Sequence, residues 1–276
     1  MRGLFAVFSR NIVNFFRDRL RVIFSLVMSL FFMFVFSFVM KGSMSGIAQP
    51  MAYLVAGIVI MTVFQQALNN STEILNDLSS GFMKEIIVSP IPRWQISLGQ
   101  ILSATAIACI QGSIILIMGF FIGLRVSAAG LFGTFGIMIV AGVAFSSLGL
   151  YLATVSRNSS TFQIAVSVVA MPLTFLSGAY IPSTVLPHFL APIVYLNPLT
   201  HITAIFRYVA LGLYSSPVSA LVKEGIAFDA NGFIITPIIS FGFIVLFGLA
   251  FFLLSLRKFT SADFSSVKAA MARHRH

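Results

Sequence analysis

Few side chains in this 276-residue sequence can do chemistry, and their placement excludes most of it. Three of the seven carboxylates, Glu73, Asp77 and Glu85, fall in one stretch, Glu73–Trp94. No histidine or cysteine stands at short spacing from a carboxylate, so no nucleophile–base pair and no metal set is predicted. Catalytic and metal-ligating residues are therefore expected to be none. His201 is expected to be a polar residue at a helix start, and His274 and His276 are too isolated to hold a metal. The single cysteine, Cys109, lies in an apolar run and permits no intrachain disulfide. No Gly-x4-Gly-Lys-Ser/Thr phosphate loop occurs, and even the dipeptide Gly-Lys is missing, so this chain has no P-loop for ATP.

What remains is mechanical chemistry in the Glu73–Trp94 stretch. Ile74, Leu78, Phe82 and Ile86 recur every fourth residue, with Leu75, Met83 and Ile87 beside them. That spacing predicts the apolar stripe of an amphipathic helix. Glu73, Asp77, Lys84 and Glu85 lie off the stripe. Gly81 weakens the helix midway, and Pro90 and Pro92 stop it, because proline lacks an amide and clashes with the preceding turn. A short charged helix over 73–92 between two apolar runs has the character of a handle gripped by another protein.

The elements that must position this handle follow from composition. Hydrophobic residues make up 58% and charged residues 9%, against roughly 45–50% and 25% in soluble domains, which points to a membrane protein. Six runs approach or exceed the roughly 20 residues that cross a bilayer: Val22–Met40, Met51–Asn69, Gln95–Leu124, Gly130–Val155, Thr161–Ile181 and Phe233–Leu256. The predicted fold class is all-α and polytopic, with six transmembrane helices over 22–256. With the N-terminus inside, thirteen of the seventeen cations lie on the cytoplasmic side, leaving Lys41, Arg125, Arg207 and Lys223 outside. Both termini, the 73–92 helix and the basic 257–276 tail are then cytoplasmic. The net charge of +10 is a topology signal at the edges of apolar runs rather than a nucleic-acid surface.

Residues 1–21 should form an amphipathic interfacial helix, with Leu4, Phe5, Phe8, Ile12, Phe15 and Phe16 on one arc toward lipid and Arg2, Arg10, Asn14 and Arg17 elsewhere. The apolar segment Leu199–Leu213 is too short for a seventh span, contains His201 and Arg207 and follows four prolines. A re-entrant hairpin over 182–213, on the outer side, fits better. Ser216–Asn231 is expected to be a small exposed loop. Gly119-x3-Gly123 suits close helix contact.

Within the spans, Gln65, Gln66, Asn69 and Asn70 form two pairs spaced four apart. Uncharged amides on one helix either bond neighbouring helices or line a wet path. Thr174, Phe175 and Ser177 follow Pro172, which frees a carbonyl and kinks the fifth span; the reading is either packing or a hinge. No acid falls inside the drawn spans, so a carboxylate-driven pump is not expected.

Two sets of residues resemble a known family. Gly81-Phe82-Met83-Lys84-Glu85 followed by Ser89-Pro90-Ile91-Pro92-Arg93 resembles the cytoplasmic coupling-helix segment of type-2 ATP-binding-cassette exporter permeases. Pro172-Leu173-Thr174-Phe175-Leu176-Ser177-Gly178, continuing through Pro182, Pro187 and Asn197-Pro198-Leu199 to Phe206-Arg207, resembles that family's fifth span and external hairpin. The resemblance implies a permease subunit of an exporter in the cytoplasmic membrane of a bacterium or archaeon. It moves a drug, a lipid-linked molecule or a cell-surface polysaccharide, with the drug-resistance branch nearer. It also implies two cytoplasmic ATPase subunits that bind ATP and Mg, and a second permease copy, either identical or a sister chain. Gly81, Phe82, Met83, Lys84, Glu85, Ile86, Ser89 and Pro90 would then contact the ATPase. Phe64, Gln65, Asn69, Phe162, Thr174, Phe175 and Ser177 would line the substrate path, with the second and fifth spans as its walls. The rival is an ATP-independent facilitator or a structural membrane protein, which gives no reason for the charged helix.

Overall fold

The computed structural model describes residues 2–43, 49–79, 91–156, 158–180, 182–230 and 232–261. It has six helices long and apolar enough to cross a membrane: α2 (Arg19–Ser43), α3 (Pro50–Asn69), α5 (Arg93–Ile122), α6 (Ala128–Val155), α7 (Ser159–Leu176) and α11 (Pro237–Ser261). Around them lie α1 (Arg2–Arg17), α4 (Thr72–Ser79), α8 (Ala191–Leu196), α9 (Pro198–Ala210) and α10 (Val218–Lys223). Two three-residue strands, β1 (Phe228–Ala230) and β2 (Phe233–Ile235), pair antiparallel with Asp229 opposite Ile234.

Helix α3 is the axis of the bundle. Nearly every side chain from Ala52 to Leu68 is buried, and α5, α6, α2 and α9 pack around it. Apolar side chains gain little by leaving lipid for protein, so close packing rather than hydrophobicity must hold such helices together. Small residues make the approach possible. A Cβ on Gly112 of α5 would sit 2.6 Å from Val63 Cγ2, and one on Gly142 of α6 would sit 2.7 Å from Thr105 Cγ2. Of the predicted Gly119/Gly123 pair only Gly119 is a contact, against Val55; Gly123 is the left-handed cap of α5, with φ +106°. At φ beyond zero a side chain is strained, so glycine ends the helix there.

Three expectations need correction. The last span begins at Pro237 rather than Phe233, because Phe233–Ile235 are taken up in the hairpin with β1. The 216–231 segment is not a simple exposed loop: Leu221, Ile226, Ala227 and Phe228 are buried. Helix α1 does form, but its predicted arc divides. Val7, Asn11 and Phe15 are buried, while Phe5 and Phe16 remain exposed. Asn11 is the reason: its amide donates to Gln100 Oε1 at 2.7 Å and Ser103 Oγ at 2.9 Å, fixing one face of α1 to α5.

No seventh span forms among the described residues. Helix α9 has 13 residues, about 20 Å at 1.5 Å each, well short of the roughly 30 Å of hydrocarbon.

Candidate functional site

The bundle has a charged end and a hairpin end. At the charged end, α4 is held from two sides. Arg10 of α1 pairs with Asp77, and Arg21 of α2 donates to Glu73 Oε1 at 2.7 Å and to Asn70 Oδ1 at 2.8 Å. Gln163 of α7 adds a bond to Thr72 Oγ1 at 3.4 Å. Ile74 and Leu75 bury the apolar stripe beneath these charges. Glu73 is half-exposed, off the stripe as the spacing predicts, whereas Asp77, expected off it too, is buried beside Ile74 because it pairs with Arg10. The handle is described as a helix only over Thr72–Ser79; Gly81, Phe82, Met83, Lys84, Glu85, Ile86, Ser89 and Pro90 lie outside the described residues. Beyond them, Ile91 packs in the cluster of Val7, Ile74 and Ile96, and Pro92 is extended and caps the start of α5.

From this end a polar seam climbs between α2, α3 and α5. Ser25 Oγ donates to Gln111 Oε1 at 2.8 Å, and Ser29 Oγ and Thr62 Oγ1 lie 3.0 Å apart. Gln66 and Asn70 continue the Thr62 face, one turn apart each. Gln66 Oε1, Asn70 Nδ2 and Gln111 Nε2 are buried with no hydrogen-bond partner among the described residues. Buried amides left this way need water or another polar group.

The candidate path residues divide by burial. Phe64 and Phe162 are fully buried within this one chain, and Phe64 packs edge-on against Phe145 with ring centroids 4.7 Å apart. Ser177 is buried, its hydroxyl donating to Thr174 O at 2.7 Å. Gln65 and Phe175 are exposed, and Asn69 and Thr174 are half-buried. The four amides at the C-terminal end of α3 and its cap thus separate: Gln66 and Asn70 face the bundle, whereas Gln65 faces away. On α7, Ile164, Val168, Met171 and Phe175 form an exposed apolar stripe, each more than 60% accessible.

At the hairpin end the organising residue is Arg207, which the charge count places only among the outward cations. It is 1% exposed. Its guanidinium donates to Tyr53 O at 3.2 Å, Gly178 O at 2.9 Å and Ala179 O at 2.7 Å, and lies 3.5 Å from the Tyr53 ring centroid. Tyr53 in turn donates to Glu224 O at 2.9 Å. His201 sits at the start of α9 as expected, buried, and its ring joins Ser240 Oγ at 2.9 Å and Tyr195 O at 2.7 Å. The sequence signal for Arg207 is an arginine inside an otherwise apolar segment. Such a residue must find partners or avoid burial.

Comparison with known proteins agrees with this architecture. Residues 2–211 match the family model described as ABC-2 type transporter. The chain is similar to the inner membrane transport permease YadH of Escherichia coli K12, at 24% identity over 91% of this chain and 92% of that protein. It is also similar to the probable multidrug ABC transporter permease YbhR of the same organism, at 26% identity over 56% of this chain. That match spans only 42% of YbhR. The putative transport permease ycf38 of Pyropia yezoensis is 31% identical over 59% of this chain and 56% of its own length. Six apolar helices, short apolar helices before the last span and a match over most of the length converge: this chain belongs to the ABC-2 type transporter family, as a multi-pass transmembrane permease.

Proposed function

We propose that this chain is the permease subunit of an ATP-driven exporter that moves an amphiphilic or hydrophobic compound out across the cytoplasmic membrane. The observation that carries the proposal is the anchoring of α4. A handle tied by Arg10–Asp77 to α1 and by Arg21–Glu73 to α2 transmits force into the bundle. Without such ties a push on it would be lost in the loop. Two copies of a separate cytoplasmic ATPase bind the 73–92 segment, with Phe82, Met83 and Ile86 as apolar anchors and Lys84 and Glu85 at the rim. The ATPase supplies ATP hydrolysis. The positive-inside count places the charged end, and with it both termini, in the cytoplasm.

Six spans make half of a two-fold transporter, and a second copy or a sister permease completes it. The exposed stripe of α7, with Gln65 and Phe175, supports this reading, since it offers an apolar wall with a few polar points. No charged ring selects an ion on that wall, which favours an apolar or amphiphilic cargo. The multidrug name of YbhR points the same way.

The test is purification of the full chain from its native membrane in mild detergent, followed by identification of what accompanies it. A P-loop ATPase at one-to-one stoichiometry is expected, and it should be lost when Phe82 and Ile86 are both changed to serine. Removing two apolar anchors of an interface costs on the order of 2 kcal/mol or more each, enough to reverse co-purification. A chain that arrives alone, even after crosslinking at Lys84, would favour an ATP-independent facilitator or a structural protein.

A further inference from the structure

We propose that α9 and α7 are clamped into one arm, with Arg207, tied also to Tyr53 of α3, as the positioning residue that sets where α7 stands. A helix end leaves its last carbonyls without intrahelical partners. At the C-terminal end of α7 those carbonyls are taken by side chains of α9 and its cap. Asn197 Nδ2 donates to Leu173 O at 2.9 Å, and Thr200 Oγ1 donates to Leu176 O at 3.1 Å. Arg207 then donates to Gly178 O at 2.9 Å and Ala179 O at 2.7 Å. Four carbonyls within seven residues are thus held by three side chains of one short helix segment.

The charge makes this clamp close to all-or-none. Among the described residues no acid pairs with Arg207; the ion pairs described are those of Arg10 and Arg21. Its compensation comes from carbonyl dipoles just past the C-terminal end of α7, where a helix favours a cation, and from the carbonyl and ring of Tyr53 on α3. A buried guanidinium that lost these partners would be stranded in a dry site. Separating α9 from α7 is therefore costly, and the same guanidinium ties both to Tyr53 of α3.

Elsewhere α7 buries few side chains within this chain. Only Phe162 and Val166 are buried along its length. Gln163 ties its start to Thr72 of α4, and the clamp holds its C-terminal end. Tyr180, immediately after the clamped carbonyls, stacks on Phe36 of α2 with centroids 4.7 Å apart and planes at 11°. That contact joins the arm to α2. The assignment of α7 to a substrate path rests on the exporter reading; the arm itself does not.

The test uses the full chain in lipid nanodiscs, with Cys109→Ser and spin labels at Met171→Cys on α7 and Leu246→Cys on α11. A control pair joins Phe132→Cys on α6 to Leu246→Cys; all three labelled positions are exposed. With Arg207→Met, the Met171–Leu246 distance distribution should broaden or shift while the control pair holds. Arg207→Lys, which keeps the charge but loses the fork, should recover part of the narrow distribution. An unchanged α7–α11 distribution in Arg207→Met overturns the arm. If Arg207→Met also disturbs the control pair, the double variant Asn197→Leu, Thr200→Val decides: a change confined to α7 supports the arm, and none overturns it. No ATPase or substrate enters, so failure here leaves the exporter reading standing, and the reverse holds.

Discussion

Replacing Gly57 with alanine is expected to lower the melting temperature of the detergent-solubilised chain by about 5–10 °C on soluble-domain scaling. The added Cβ would overlap Ala179 O and lie 2.7 Å from Arg207 Nη2. Neither neighbour can give way cheaply. The oxygen is backbone, and the guanidinium is fixed by three carbonyls and a ring. Overpacking alone costs about 1–3 kcal/mol. Displacing Arg207 would also weaken charge-assisted hydrogen bonds worth roughly 1.5–3 kcal/mol each. Gly136 of α6 is the control, since a Cβ there meets nothing within 4 Å. Gly136→Ala should leave the melting temperature unchanged or slightly raised, because alanine is the better helix former. Equal effects at the two positions would show that the close approach at Gly57 does not matter for stability.

Reversing Arg21 to glutamate should reduce energy-coupled efflux of amphiphilic dyes from cells at least about tenfold, a change that needs only about 1.4 kcal/mol. The Arg21–Glu73 pair is about one quarter exposed on each side. It should therefore be worth more than a surface pair, about 0–1 kcal/mol, and less than the roughly 3–5 kcal/mol lost on breaking a fully buried one. Arg21→Glu also abandons Asn70 Oδ1 and sets two carboxylates against each other. The ATPase should still co-purify, because its anchors lie further along the segment. Introducing Glu73→Arg in the same chain should restore much of the efflux. Normal efflux in the single reversal would mean that α4 does not drive α2 through this pair, and would remove the observation on which the proposed function rests.

Much of the fold is legible in the order of residues. The six spans emerge from length and hydropathy because a backbone in lipid must satisfy its own hydrogen bonds, which leaves long apolar helices as the economical answer. The same arithmetic correctly denies a crossing to the 15-residue segment before the last span. The charged character of α4 is legible too, since Glu73 and Asp77 fall off a period-four stripe. Periodicity fails where packing is local and specific. The hairpin at β1 and β2 takes three residues from the last span, because Phe233–Ile235 is apolar enough to read as helix but pairs as strand. The α1 arc divides because Asn11, polar in sequence, is paired in space with Gln100 and Ser103.

The sequence by itself determined the class of molecule, its six candidate crossings and the charged character of α4, all properties of single segments. Only the tertiary structure decided what the polar residues do. Gln65 and Gln66 are neighbours in sequence and amides both, yet one faces outward and the other the bundle. Arg207 counts as an outward charge in the sequence and is the best-buried cation described, joining carbonyls at positions 53, 178 and 179. The physical reason is that a polar side chain in an apolar chain is defined by its partner. When that partner lies 28 or 154 residues away, spacing along one helix carries no trace of it.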